Sequence, residues 1–118
     1  MDLEGLAKTI NDNPDPLHAD ITPSVLKLIE HDLPAAQVVL DLLDAPELLT
    51  RRRAQRVIEG VVMRRHGWVA GQGYTDSAGQ QKTQDLLARN GNYQADAAPK
   101  ARKQAIEKWR RWLASQNH

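Results

Sequence analysis

Cysteine and phenylalanine are both absent from the 118 residues of this sequence. Without cysteine the chain has no disulfide and no thiolate metal site. Cysteine usage therefore does not indicate whether the protein works in an oxidising or a reducing compartment. Without phenylalanine the core must be built from Leu, Val, Ile and Ala, with three Trp and two Tyr as the large side chains. A chain of this length is expected to form one domain, with residues 1–20 as an acidic N-terminal helix and loop and residues 21–118 as the main helical domain.

Long apolar runs are also absent. No stretch reaches the ~20 consecutive apolar residues that a membrane-spanning helix needs. The start of the chain, MDLEGLAKTINDNPDP, is acidic and polar, unlike a secretory signal. We therefore expect a cytoplasmic protein.

Residue patterns for metal, cofactor or catalytic chemistry are missing as well. Gly71-Gln72-Gly73 lacks the third glycine and the preceding strand of a dinucleotide-binding fingerprint. Asp41 and Asp44 are three residues apart at a helix end, and they are interpreted as capping or pairing groups and not as a catalytic acid pair. The four histidines show no metal-ligand spacing: His18, His31, His66 and His118. We expect no metal, no cofactor and no catalytic residue.

Charge is nearly balanced overall but unevenly distributed, since the net charge is only +1. Residues 1–48 contain ten acidic and two basic side chains, a charge of −8, whereas residues 49–118 contain five acidic and fourteen basic ones, a charge of +9. Two interpretations stay open. Either the two halves pair with each other, or the basic half presents a face to an anionic partner.

Helical spacing of apolar residues predicts an all-α fold, a small bundle of five to six helices without strands. Thr22 and Pro23 are typical of an N-cap and a first helical residue, and Pro34 opens the next helix. Asp44-Ala45-Pro46-Glu47 is typical of a capping box, which predicts that the longest helix covers about residues 46–66. The apolar stripe of this helix comprises Ala54, Val57, Ile58, Val61 and Val62.

Glycines interrupt the helical pattern after this long helix. Gly67 predicts its end, and residues 67–76 are expected to be irregular, with Trp68 and Tyr74 folding back onto the helices. A second capping-box pattern, Ser77-Ala78-Gly79-Gln80, then opens another helix.

Residues 34–66 consist of two predicted helices joined by an acidic-proline turn. The turn and the second helix lie within the stretch DLLDAPELLTRRRAQRVIEGVV. This region resembles a HEAT-type repeat, an antiparallel helix pair whose second helix carries a Val-Arg-x-x-Ala-like motif. Leu49, Arg51 and Ala54 occupy those places, and Thr50 is a one-residue departure. The resemblance implies a scaffold for protein contacts. A minority of such proteins bind nucleic acid on a basic concave face, and some of these are DNA glycosylases.

The last predicted helix, opened by Pro99, is not a further standard repeat. Trp109 and Trp112 share an apolar face with Ile106, which favours core packing over base stacking. The region after residue 66 resembles the C-terminal tail of bacterial proteins that carry HEAT-like units. The last helix is expected to cap such a terminal unit, because one helix pair cannot bury its apolar face alone.

The HEAT resemblance implies that Arg51 has a structural role, pairing with an acid of the turn. Asp41 and Asp44 are the candidate partners, and Arg–carboxylate pairs gain from bidentate geometry. Trp68, together with the two tryptophans of the last helix, is also predicted to be structural.

The remaining arginines allow two interpretations. They form a solvated face with weak pairs to Glu59, or they form a phosphate-binding patch whose affinity falls steeply with salt. Because no base-reading Asn or Gln stands out, such a patch would bind without sequence preference. The candidate binding residues are Arg52, Arg53, Arg56, Arg64, Arg110 and Arg111.

The sequence thus favours a non-enzymatic binding module that contacts another protein. The alternative is a nucleic-acid-binding module that uses basic helix faces, and a glycosylase-type enzyme is a distant third. The identity of the partner and the oligomeric state stay open.

Overall fold

The computed structural model describes residues 2–116, so that His118 lies outside the described residues. The predicted all-α class is confirmed, since α-helices dominate a compact bundle. In chain order the elements are α1 (Leu3–Lys8), α2 (Pro23–Glu30), α3 (Leu33–Val39), a 3-10 helix (Leu40–Asp44), α4 (Leu48–Arg65), β1 (Trp68–Val69), β2 (Gly73–Tyr74), α5 (Ser77–Arg89) and α6 (Pro99–Ser115).

Helix starts agree with the sequence signals at α2 and α6. Pro23 and Pro99 each occupy the first helical position, where a missing N–H costs nothing. The Thr22 hydroxyl accepts a hydrogen bond from the Val25 N–H at 3.2 Å, as an N-cap should. These starts depend only on local residues, which is why the sequence predicts them.

Both predicted capping boxes are wrong in detail. Asp44 ends the 3-10 helix, and its carboxylate pairs with Arg102 at 3.2 Å instead of capping α4. α4 begins at Leu48, without a capping side chain. The cap of α5 is Asp76, whose carboxylate accepts from the Ala78 N–H at 2.9 Å.

A short antiparallel hairpin lies where no strand was predicted. Trp68 pairs with Tyr74, and Val69 pairs with Gly73. Gly71 and Gly73 have φ of +82° and +83°, which lets the chain reverse within four residues. Strands of two residues have no alternating pattern that the sequence could reveal.

The core surrounds α4, which packs against α2, α3, the 3-10 helix and α5. The predicted stripe of α4 is buried, with Ala54 and Val57 fully inaccessible to solvent. α6 covers α3 and the 3-10 helix with Ile106, Trp109 and Leu113. Trp109 is 2% exposed, and its ring meets that of half-buried Trp112 edge-to-face, with centroids 5.6 Å apart. Core packing of Trp109 is therefore confirmed.

Within residues 2–116 no helix is both long enough and apolar enough to cross a lipid bilayer.

Candidate protein-interaction surface

Arg53, one of the predicted binding residues, lies inside the molecule. It is 6% exposed. Its Nε donates to the Ala19 carbonyl at 3.0 Å, and its Nη1 donates to the Asn11 side-chain oxygen at 2.7 Å. Asn11 in turn donates to the Thr50 hydroxyl at 3.1 Å. Arg53 therefore fastens the loop between α1 and α2 onto α4, and it does not contribute to a cationic surface.

Arg56, one turn further along α4, is held by two carboxylates. Its guanidinium pairs with Asp20 of the same loop and with Glu59. Burial lowers the pKa of Arg56, but the negative charges of Glu59 and Asp20 outweigh burial and raise the pKa above its ordinary value. Two carboxylates beside the guanidinium neutralise its charge, which weakens its attraction for a phosphate.

Ion pairs join the acidic and basic halves of the chain. Each of four pairs links a carboxylate from residues 1–48 to an arginine from residues 49–118. Internal pairing therefore neutralises part of the uneven charge. The pairs are Asp20–Arg56, Asp32–Arg65 (2.9 Å), Asp44–Arg102 (3.2 Å) and Asp41–Arg110 (3.5 Å).

Arg51 binds backbone carbonyls in place of the predicted acids. Its Nε donates to the Ala95 carbonyl at 2.8 Å, and its Nη1 donates to the carbonyls of Ala45 at 2.8 Å and Pro46 at 3.0 Å. The prediction of a carboxylate partner is wrong because Asp41 and Asp44 are paired with arginines of α6. Arg51 thus ties the segment before α6 to the start of α4.

Tyr93 and Gln55 complete this attachment. The Tyr93 hydroxyl donates to the Leu43 carbonyl, and the Gln55 side-chain oxygen accepts from the Ala95 N–H at 3.2 Å. Burial raises the pKa of Tyr93 to about 12, although the nearby positive charges of Arg51 and Arg102 oppose the rise. Neither residue was singled out in the sequence, since Tyr93 and Gln55 act through partners 50 and 40 residues away.

A cavity of about 60 Å³ adjoins Tyr93, and its lining includes Gln55, Glu59 and Trp109. This volume holds one or two water molecules. It is far below the roughly 300 Å³ of a small-molecule site.

His66 lies at the junction of α4, the hairpin and α5. Its Nδ1 is 3.0 Å from the Thr83 hydroxyl, which also accepts from the Tyr74 hydroxyl at 3.3 Å. Desolvation, followed by the positive charges of Lys82 and Arg65, lowers the pKa of His66. Within residues 2–116 no three His, Cys, Asp or Glu side chains gather as a metal site would require.

The other predicted arginines lie on separate parts of the molecule. Half-buried Arg52 and exposed Arg64 lie twelve residues apart on α4, or about 18 Å along the helix axis. Arg110 and Arg111 are exposed on α6. The outer face of α6 nevertheless concentrates cations, with Lys100, Lys103, Lys108, Arg110 and Arg111 all exposed.

The loop of residues 11–21 is closed by its own hydrogen bonds. The Asp15 N–H donates to the Ile21 carbonyl, and the Ile21 N–H donates to the His18 carbonyl, both at 2.9 Å. The Asp15 carboxylate accepts from the N–H groups of Leu17 at 2.8 Å and His18 at 3.0 Å. Leu17 lies on this turn with 87% of its surface exposed.

Two further leucines are exposed on helices next to the loop: α2, which follows it in the chain, and α4, which holds it through Arg53 and Arg56. Leu26 of α2 is 51% exposed and lines a notch of about 230 Å³ together with Asn13, Asp15, Ile21, Thr22 and Pro23. Leu49 is 43% exposed. It precedes Arg53 by four residues and Arg56 by seven, so that it lies on the same side of α4 as the two arginines that hold the loop. We call Leu17, Leu26 and Leu49 the leucine surface.

Sequence reasoning missed the leucine surface, although one signal was present. Leu17 is a large apolar residue between Pro16 and His18 in a loop rich in Asp, Asn and Pro. The backbone hydrogen bonds that hold this loop, and hence the exposure of Leu17, require the folded structure.

No protein-family model, curated protein or solved structure matches this chain.

Proposed function

We propose that this protein is a non-enzymatic module that binds another protein through its leucine surface. The observation that carries the proposal is the exposure of Leu17 on a loop closed by its own hydrogen bonds and anchored by Arg53 and Arg56. A leucine held exposed on an ordered loop offers apolar surface to a partner, and a preorganised loop loses little entropy when it is covered.

The HEAT-like character of the chain is part of the same proposal. The α3–3-10 segment and α4 are joined by three residues and pack against each other, as a repeat's helix pair would. On this proposal α6 has the capping role, because it packs against α3 and the 3-10 helix, the first half of the pair.

Affinity capture from a lysate of the source cells tests the proposal. The bait is the purified chain, and nuclease treatment removes nucleic-acid bridges. We expect the triple variant Leu17→Ser/Leu26→Ser/Leu49→Ser to lose a protein that the native chain retains. Val69→Ser is the matched control, since Val69 is 41% exposed but lies on the hairpin. Identical captured proteins for all three baits, or none for any, would reject the proposal.

Sequence-independent nucleic-acid binding is the second candidate, favoured by the cations on the outer face of α6. Its test is the binding of fluorescent single- and double-stranded oligonucleotides over a range of salt. Affinity that falls steeply with salt, and that Lys103→Glu/Arg111→Glu abolishes, would establish this function. On the protein-binding proposal we expect no such salt-dependent affinity.

A further inference from the structure

The loop that presents Leu17 is acidic. Between Lys8 and Lys27 the sequence contains three aspartates and neither Lys nor Arg. Asp20 is engaged by Arg56, whereas Asp12 and Asp15 are exposed. The hydrogen bonds that the Asp15 carboxylate accepts from the loop backbone leave its negative charge in place.

The notch beside the loop is lined by both apolar and acidic residues. Ile21, Pro23 and Leu26 supply apolar surface, and Asp15 and Asn13 form the polar side. An opening of about 230 Å³ accommodates one large apolar side chain. Anchoring of a single aliphatic or aromatic residue in such a pocket, with charges at the rim, is the usual anatomy of a small protein–peptide contact.

We infer that the notch binds a cationic, amphipathic peptide segment of the partner protein. An aliphatic side chain of the partner enters between Ile21 and Leu26, a neighbouring apolar residue covers Leu17, and Lys or Arg side chains lie against Asp12 and Asp15. This inference rests on the proposed function and adds the chemistry of the partner. The same acidic rim repels nucleic acid and anionic lipid, which excludes them as occupants of the notch.

Fluorescence anisotropy with a designed peptide tests the inference. The probe is a labelled helical peptide with leucines on one face and lysines on the other, and its counterpart carries glutamate in place of lysine. We expect the native chain to bind the lysine peptide and not the glutamate peptide. Leu17→Ser and Leu26→Ser should each weaken binding about tenfold through loss of an apolar contact.

Two further variants test whether binding of the lysine peptide depends on the acidic charges of the loop and whether it is nonspecific. Asp12→Asn/Asp15→Asn keeps the oxygen that caps the loop and should weaken binding about threefold, the effect of losing exposed charge pairs. Val69→Ser should bind as the native chain does. Circular dichroism confirms that each variant is folded, which is expected because every substituted side chain is exposed.

The opposite results have distinct meanings. Failure of the native chain to bind the lysine peptide, equal binding of the glutamate peptide, or equal weakening by Val69→Ser overturns the inference. Self-association of the native chain in sedimentation velocity, if Leu17→Ser abolishes it, also overturns the inference, because the notch is then occupied by a second copy of this chain. If the lysate capture still depends on the leucine surface in these cases, the proposed function stands. If the capture fails as well, both are rejected.

Discussion

Arg51 and Arg52 are adjacent in the sequence, yet their environments differ. The side chain of Arg51 donates to three backbone carbonyls. The half-buried side chain of Arg52 forms no hydrogen bond or ion pair with residues 2–116. We expect Arg51→Ala to lower the free energy of unfolding by about 1–3 kcal/mol, because two part-buried carbonyl acceptors lose a charged donor. Arg52→Ala should change it by less than about 0.5 kcal/mol. Urea unfolding measures both, and equal losses would contradict the structural role of Arg51.

Tyr93 makes stability depend on pH in the alkaline range. Burial raises its pKa to about 12 in the folded state, against about 10 in the unfolded chain. The folded state therefore holds the phenolic proton more tightly, so this contribution is complete below about pH 10 and is lost as the pH rises towards 12. We expect the native chain to lose more stability than Tyr93→Phe between about pH 9 and 11 in urea unfolding. Parallel pH curves for the two proteins would refute this.

Asp32, between α2 and α3, has a backbone conformation that favours glycine. Its φ is +62° and its ψ is −148°. Such a conformation costs of order 1–3 kcal/mol in a residue with a side chain. We expect Asp32→Gly to raise the free energy of unfolding by about 1 kcal/mol, although it removes the exposed pair with Arg65. Asp32→Asn keeps the strain and removes the charge, so as the control it should show no gain.

At the scale of elements, Gly79 sets the approach of α5 to the end of α4. A Cβ at this position would lie 2.1 Å from the His66 carbonyl oxygen and 2.9 Å from the Tyr74 ring. Alanine favours a helix by about 1 kcal/mol over glycine, but here the clash with backbone dominates. We expect Gly79→Ala to lower the melting temperature through an overpacking cost of about 1–3 kcal/mol. Exposed Gln80→Ala should leave it nearly unchanged; a stabilised Gly79→Ala protein would disprove this close approach.

The whole molecule is joined by contacts between its acidic and basic halves. The Asp20–Arg56 pair is partly buried, with side-chain exposures of 23% and 37%, whereas Asp41 of the Asp41–Arg110 pair is 93% exposed. Double-mutant cycles with Asp→Asn and Arg→Gln should give a coupling of about 1 kcal/mol for the first pair and nearly zero for the second. A coupling near zero for the Asp20–Arg56 pair would show that docking of the loop on α4 does not depend on this charge contact.

Local chemistry determined much of the fold from the sequence alone. The apolar stripe of α4 and that of α6 predicted which faces are buried, because helical spacing places those residues on one side whatever they pack against. Pro23 and Pro99 predicted helix starts, and Gly67 predicted a helix end, because these residues act on their own backbone. The core position of Trp109 followed from the same spacing.

Tertiary structure decided which partner each polar side chain found and which apolar side chain stayed uncovered. Arg51, Arg53 and Arg56 share one helix, yet their main partners lie 34 to 44 residues away in two different loops. A long arginine side chain reaches several acceptors, so only the packed arrangement selects among them. The exposure of Leu17 has the same origin, since it depends on a loop held by contacts that no local pattern records.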